Sequence, residues 1–161
     1  MNEIALLLHN IRSSHNVGSI FRTADAAGVK KMYLSGYTPR PIDRFGRVQK
    51  DIAKTALGAE KYLSWEYYKS LARLISKLKR EGWKIVGIEQ DARAKNYHSL
   101  KLKSKTLFIF GNEVRGLSGS LRKKCDTLIE IPMRGKKESL NVSVAAGIVL
   151  FQVVETHTYR V

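Results

Sequence analysis

Five short, nearly unbroken apolar runs punctuate the chain: Ile4 to Leu8, Lys31 to Leu34, Ile85 to Ile88, Leu107 to Phe110 and Leu128 to Ile131. Runs of this kind, without strict polar alternation, fit strands covered on both faces in a parallel sheet. Helical patterns lie between them. Val17, Ile20, Phe21 and Ala24 follow the i, i+3, i+4, i+7 rule, with Asn16 expected to cap that helix and Gly28 to stop it. Leu71, Leu74, Ile75 and Leu78 repeat the pattern, with Ser64 expected as cap and Gly82 as stop. Strands alternating with helices predict an α/β fold on a parallel sheet, with ligand sites at the strands' C-terminal ends. A length of 161 residues predicts one domain, 1–161.

The segment from Asn141 to Val154 differs from the other helices. Val142, Val144, Ala145, Ile148, Val149, Phe151 and Val153 occupy most of its circumference, so it needs cover all round. A short chain rarely supplies that much cover for its last helix, which predicts a homodimer with this helix in the interface. The alternative is a helix buried against its own sheet. Ser35 to Lys50 holds Pro39 and Pro41, two of the three prolines, and is expected to be the long mobile loop.

Charge narrows the partners. Lys and Arg number 29 against 14 Asp and Glu, a net charge of +15. That excess points to a polyanion, first to nucleic acid and second to an anionic membrane surface, with simple solubility as the plain alternative. Cys125 is the only cysteine, which excludes an internal disulfide and a thiolate zinc cage and fits a reducing compartment. Lys123 and Lys124 beside it would lower its pKa if it were reactive, though a lone cysteine is more often packing. His9 and His15 belong to a scattered set of 4 histidines, so no metal is expected. Met1-Asn2-Glu3 lacks the basic start of a signal peptide, and no stretch nears the ~18 apolar residues of a membrane span. A cytoplasmic protein is the expectation.

Three blocks carry chemistry. In Asn10 to Asp25 (NIRSSHNVGSIFRTAD), Arg22 falls opposite the apolar face and one turn from Gly18, close to a helix start suited to anions. That arrangement suits the close approach of a phosphate backbone, although an ion pair with Asp25 satisfies the same spacing. In Phe110 to Ser118 (FGNEVRGLS), two glycines bracket a charged turn, and Ser118 is placed to cap the next helix. Neither a dinucleotide fingerprint nor a P-loop is present. In Ile129 to Ser143 (IEIPMRGKKESLNVS), a strand end, a basic loop and the pair Ser139 and Asn141 precede the apolar helix. The free backbone groups there suit an adenosine edge, while a helix cap alone would also account for them.

In this order, each after a strand, the three blocks resemble the signature motifs of the SpoU-type RNA 2′-O-ribose methyltransferases, the TrmH branch of the SPOUT superfamily. Lys54 to Glu60 (KTALGAE) is similar to a stretch common between the first two motifs. The resemblance implies an S-adenosylmethionine-dependent homodimer with a deep C-terminal trefoil knot, acting on tRNA or rRNA. It implies catalytic-site roles for Asn16, Arg22, Glu113, Ser139 and Asn141. It also implies mainly backbone cofactor contacts, at Ile88, Gly111, Ile131, Met133, Ser139 and Leu140. Many relatives carry an N-terminal RNA-recruiting domain or a basic C-terminal extension, and a single methyltransferase domain without either is the expectation here.

Methyl transfer to a ribose hydroxyl needs in-line alignment and a path for the hydroxyl proton. The family often assigns the motif-one arginine as base, but a guanidinium is far too weak an acid to give up its proton near neutral pH. Arg22 is therefore expected to grip an RNA phosphate and stabilise the developing alkoxide, with Asn16 orienting the ribose or the arginine. Glu113 is expected to fix the guanidinium or the motif-two loop. RNA contacts are expected from Arg12, Arg40, Arg44, Arg47, Lys50, Arg134, Lys136 and Lys137, with Tyr37 and Phe45 stacking on unpaired bases. Arg122 to Lys124 is either a further contact or a solvated helix end. A non-catalytic RNA-binding module and a methyltransferase acting on a base or small molecule are the competing functions.

Overall fold

The computed structural model describes residues 2–158, and their side chains as far as Glu155. The five apolar runs all become strands: β1 (Glu3–His9), β2 (Lys31–Ser35), β4 (Lys84–Ile88), β6 (Lys105–Phe110) and β7 (Thr127–Glu130). Two strands lack such a run. β3 (Trp65–Tyr68) is aromatic and half-buried at one edge, and β5 (Lys95–Asn96) is a two-residue strand at the other. The seven strands form one sheet in the order β3-β2-β1-β6-β4-β7-β5, and every pairing is parallel.

The helices are α1 (Ser14–Ala26), α2 (Lys50–Ala56), α3 (Ala59–Tyr62), α4 (Leu71–Arg80), α5 (Gly119–Lys124) and α6 (Val142–Thr158). Period-two alternation splits the core into two layers. Leu6, Leu8, Met32, Leu34, Phe108 and Phe110 face α1, α2, α3 and α6, while Ala5, Leu7, Ile85, Leu107 and Ile109 face α4 and α5. Three layers result, with helices on both sides of the sheet.

Two expected caps are corrected. Ser13, not Asn16, caps α1, its hydroxyl accepting from the Asn16 amide at 3.2 Å; Asn16 falls inside the first turn, which frees its carboxamide. Ser70, not Ser64, caps α4, because β3 lies between Ser64 and the helix. Gly28 at φ +73° and Gly82 at φ +83° do end their helices, and Ser118 does cap α5.

The KTALGAE stretch becomes the α2–α3 corner. Leu57 takes φ +51° and Gly58 φ +95°, and Thr55 Oγ1 donates to the His15 carbonyl at 3.0 Å. This pulls α2 onto α1 at Gly18, where a Cβ would overlap the Ile52 carbonyl oxygen and Thr55 Oγ1. Gly18 thus serves helix contact, and the expected phosphate approach over it is corrected. α6 behaves as a half-covered helix. Val142, Ala146, Val149, Leu150 and Val153 are buried, whereas Val144 and Phe151 remain 49% and 41% exposed, with Ile148 between them only partly covered. The loop from Gly36 to Gln49 is pinned by an Ile42–Val48 bridge and by Asp43, whose Oδ1 accepts from the amides of Phe45 and Arg47. No helix among the described residues is long and apolar enough to cross a membrane.

Candidate active site

Loops leaving β1, β6 and β7 converge at one edge of the sheet. After β1, Asn10 turns through φ +57°, and Thr38 ties that turn down by donating to the Leu8 carbonyl and accepting from the Ile11 amide. After β6, Gly111 lets the 112–116 loop fold back, since a Cβ there would stand 2.7 Å from the Gly116 backbone. Asn112 holds that turn, Oδ1 accepting from the amides of Val114 (2.9 Å) and Arg115 (2.7 Å). Its Nδ2 donates to the Asn10 carbonyl and to the Tyr37 hydroxyl, so three loops share one buried carboxamide.

Glu113 makes the decisive cross-link. Its carboxylate accepts from the amides of Arg12 (2.9 Å to Oε2) and Ser13 (3.1 Å to Oε1) and from Asn16 Nδ2 (3.3 Å). Burial pushes its pKa up, but these hydrogen bonds outweigh burial and hold the group below the ordinary glutamate value. Asn16 Oδ1 in turn accepts from Asn141 Nδ2 at 3.1 Å. Asn141 also caps α6, its Oδ1 accepting from the Ser143 amide (2.9 Å) and hydroxyl (2.6 Å). One polar chain, Glu113–Asn16–Asn141, therefore joins all three sequence blocks. Of the two tasks expected of Glu113, the structure realises the loop tie and not a grip on the Arg22 guanidinium.

Beside this chain opens a cleft of about 500 Å³. Ile88, Gly111, Ile131, Met133, Ser139 and Leu140 all line it, as do Phe110, Val142 and Ala145. The residues singled out in sequence as cofactor contacts are thus brought together by the strand ends. Four carboxylates, Glu89, Glu113, Glu130 and Glu138, also face the cleft, and among the described residues no Lys, Arg or His lines it. In a chain of net charge +15 this is a strong local inversion. Glu89, Glu130 and Glu138 were not legible in advance, because a carboxylate at a strand end, as Glu89 and Glu130 are, looks like any strand terminus, and Glu138 among lysines looks like a solvated loop.

Arg22 lies exposed on α1 and has no ion pair among the described residues, so the possible pairing with Asp25 is not used. Arg12, Arg134, Lys136 and Lys137 stand exposed around the cleft's rim. In the proline loop, Arg40 lies 3.8 Å over the Tyr67 ring, Arg47 pairs with Asp43, and the guanidiniums of Arg44 and Arg47 sit 4.8 and 5.0 Å from the Phe45 ring. Phe45 remains 66% exposed. Arg122 is not a solvated helix end: it donates to the Leu117 carbonyl and to Asp91, whose carboxyl is held well below the usual range by Arg93 and then Arg122. Lys123 and Lys124 do not activate Cys125, whose thiol burial pushes up to about 11. No group of metal-ligating side chains occurs among the described residues.

Comparison with known proteins places this geometry. Residues 3–151 match the SpoU rRNA Methylase family. The 23S rRNA (guanosine-2'-O-)-methyltransferase RlmB of Pseudomonas aeruginosa is 35% identical over 155 residues, covering 96% of this chain and 60% of that protein. The enzyme of the same name from Photobacterium profundum is 37% identical over 153 residues, covering 95% and 60%. The chain thus spans about 60% of the length of these curated relatives. Among solved structures, the AdoMet-bound rRNA methyltransferase of Sinorhizobium meliloti superposes with a TM-score of 0.85 at 25% identity, covering 96% of this chain and 57% of that one. The A. aeolicus TrmH/SpoU tRNA modifying enzyme gives 0.85 at 26%, covering 98% and 77%. A match running from the first strand into the last helix, on a shared fold and with the three blocks meeting at one cleft, makes the chain a member of the SpoU rRNA methylase family.

Proposed function

We propose that the protein transfers a methyl group from S-adenosylmethionine to a ribose 2′-hydroxyl of tRNA or rRNA. The observation that carries this reading is the cleft built by all three motif loops, lined among the described residues by four carboxylates and no cation. Such a wall favours a sulfonium and an ammonium and disfavours a polyphosphate. Its apolar side, with Ile88, Phe110, Ile131, Leu140 and Val142, suits an adenine ring. The relatives' names and the AdoMet-bound neighbour support the same assignment.

When bound, the cofactor supplies an electrophilic methyl group. The backbone of Ile88, Gly111, Ile131, Met133, Ser139 and Leu140 holds it, and Ser139 and Asn141 shape the pocket's entrance. Arg22, permanently charged, grips the phosphate next to the target nucleotide and stabilises the developing alkoxide, while the hydroxyl proton leaves to that phosphate or to a water. Asn16 orients the ribose, its own carboxamide fixed from both sides by Glu113 and Asn141. Arg12, Arg40, Arg44, Arg47, Arg134, Lys136 and Lys137 guide the RNA strand, with Phe45 exposed beside two of them for base stacking.

The same reading extends to a homodimer across α6, supported by the uncovered Val144 and Phe151, to a cytoplasmic setting and to a knotted C-terminal third. The last is supported by β7 lying between β4 and β5 rather than at an edge. Calorimetry with S-adenosylmethionine, followed by mapping of 2′-O-methyl marks lost on gene deletion, tests the proposal. Saturable binding and a lost ribose mark are expected. No binding at millimolar cofactor would leave a non-catalytic RNA-binding module, and a lost base mark would overturn the ribose assignment.

A further inference from the structure

We infer that Glu89 is the acceptor for the vicinal ribose hydroxyls of the cofactor's adenosine, an inference that rests on the methyl-donor reading above. The residue follows β4, next to the central strand β6, at the sheet's C-terminal edge, its amide donating to the Ile129 carbonyl at 3.0 Å. Its carboxylate is fixed from two sides. Oε2 accepts from the Leu117 amide at 2.6 Å, and Oε1 accepts from the Gln90 amide at 3.0 Å.

The motif-two loop is shaped around this group: Gly116 takes φ +64°, and a Cβ there would overlap the Glu89 carboxylate. A carboxylate offers about four acceptor positions, so each oxygen keeps one after these two bonds. Glu89 lines the cleft, and with no cation among the described residues of its walls, a ligand edge that donates hydrogen bonds is the one that matches it.

The other three carboxylates are arranged differently. Glu113 is turned onto the amides of Arg12 and Ser13. Glu138 stands exposed on the loop before α6, and Glu130 has no hydrogen-bonded anchor for its carboxylate among the described residues. An ammonium is a compact point charge that such unanchored carboxylates can meet from many directions. A rigid planar pair of oxygens suits two neighbouring hydroxyls, each donating one hydrogen, as an acidic side chain does for a nucleotide ribose in dinucleotide folds.

The test is calorimetry on the full chain with S-adenosylhomocysteine, its 2′-deoxy and 3′-deoxy ribose analogues, and 5′-methylthioadenosine, which keeps the diol but has no ammonium. The wild-type protein is expected to bind each deoxy analogue about tenfold or more weakly than the parent, the scale of a hydrogen bond to a charged group. E89Q, which retains one acceptor for the Leu117 amide, is expected to shrink that ratio below about threefold and to weaken methylthioadenosine by the same factor as the parent. Equal wild-type affinity for the deoxy analogues overturns the inference without needing the variant, as does an undiminished ratio in E89Q. An effect of E89Q on S-adenosylhomocysteine alone reassigns the carboxylate to the ammonium. Absence of any wild-type binding is a different failure, since it removes the methyl-donor reading itself.

Discussion

Asn141 at the head of α6 donates through Nδ2 to Asn16 Oδ1 at 3.1 Å, linking residues 125 positions apart. The same side chain caps its own helix through Oδ1. Cap and cross-link are separable by substitution. N141D keeps the cap acceptor but loses the donor, so it should melt within about 1 °C of wild type while methyl transfer falls about tenfold or more through misplacement of Asn16. N141A loses both, and the missing cap should lower Tm by about 2–4 °C as well. Thermal melts and single-turnover assays check both outcomes, and an active N141D would show that Asn16 needs no orienting partner.

Glu113 gives a pH prediction with a definite sign. Its pKa is lowered in the folded protein, so the stabilisation it contributes is complete above the unfolded glutamate value near 4.5 and is lost as pH falls through the lower folded value. Because the group is only half-buried and still reached by solvent, the contribution is small, below about 2 kcal/mol. Amide resonances of Arg12 and Ser13 should shift together with a midpoint under 4.5. A midpoint at or above it would mean the carboxylate is not held by those amides.

Gly18 and Gly147 are both helical glycines with opposite surroundings. A Cβ on Gly18 would meet the Ile52 carbonyl and the Thr55 hydroxyl, whereas one on Gly147 would meet only Thr23 Cγ2 at 3.7 Å. G18A should cost about 1–3 kcal/mol by prising α2 from α1, and G147A should be neutral or stabilising by up to about 1 kcal/mol through helix propensity. Denaturant midpoints distinguish the two.

Arg22 is exposed and has no ion pair among the described residues, so its substitution should leave the fold alone. R22K preserves charge but not the bidentate fork, and turnover is expected to drop about 100-fold with S-adenosylmethionine affinity unchanged. Near-normal turnover in R22K would remove the phosphate-gripping role.

Phe151 lies one helical turn beyond Ile148 and two beyond Val144 on the uncovered side of α6. On the proposed pairing across α6, F151E should give a monomer in light scattering at micromolar concentration where the wild type gives a dimer, while leaving the melting curve cooperative. An unchanged mass would place the interface elsewhere.

The central strands were legible because burial on both faces writes itself as unbroken apolar runs, and the α1 and α4 faces because their period is helical. Edge strands carry no such mark: Trp65–Tyr68 and Lys95–Asn96 are strands by virtue of their neighbours. The misplaced cap at Ser64 followed directly from overlooking β3. Asn16, Glu113 and Asn141 could be picked out from the motifs, but not the hydrogen bonds between them, since contact over more than 90 residues has no local signature. Glu89 was missed for the same reason: its partner Leu117 lies 28 residues downstream. Gly18 was misread because helix proximity and ligand proximity both call for a missing side chain.

The sheet order has a bearing on how the molecule is made. β1, β2 and β3 can pair as soon as they leave the ribosome, but β4 pairs with none of the three; its neighbours are β6 and β7. A nascent chain stalled near residue 100 would therefore hold an exposed, unpaired β4 waiting for two later strands to slot in on either side. Vectorial synthesis leaves the cleft until last, because its final wall and the Asn141 latch arrive only with the closing segment. Slow acquisition of native structure and a dependence on protected emergence are the physiological corollary of such non-local pairing.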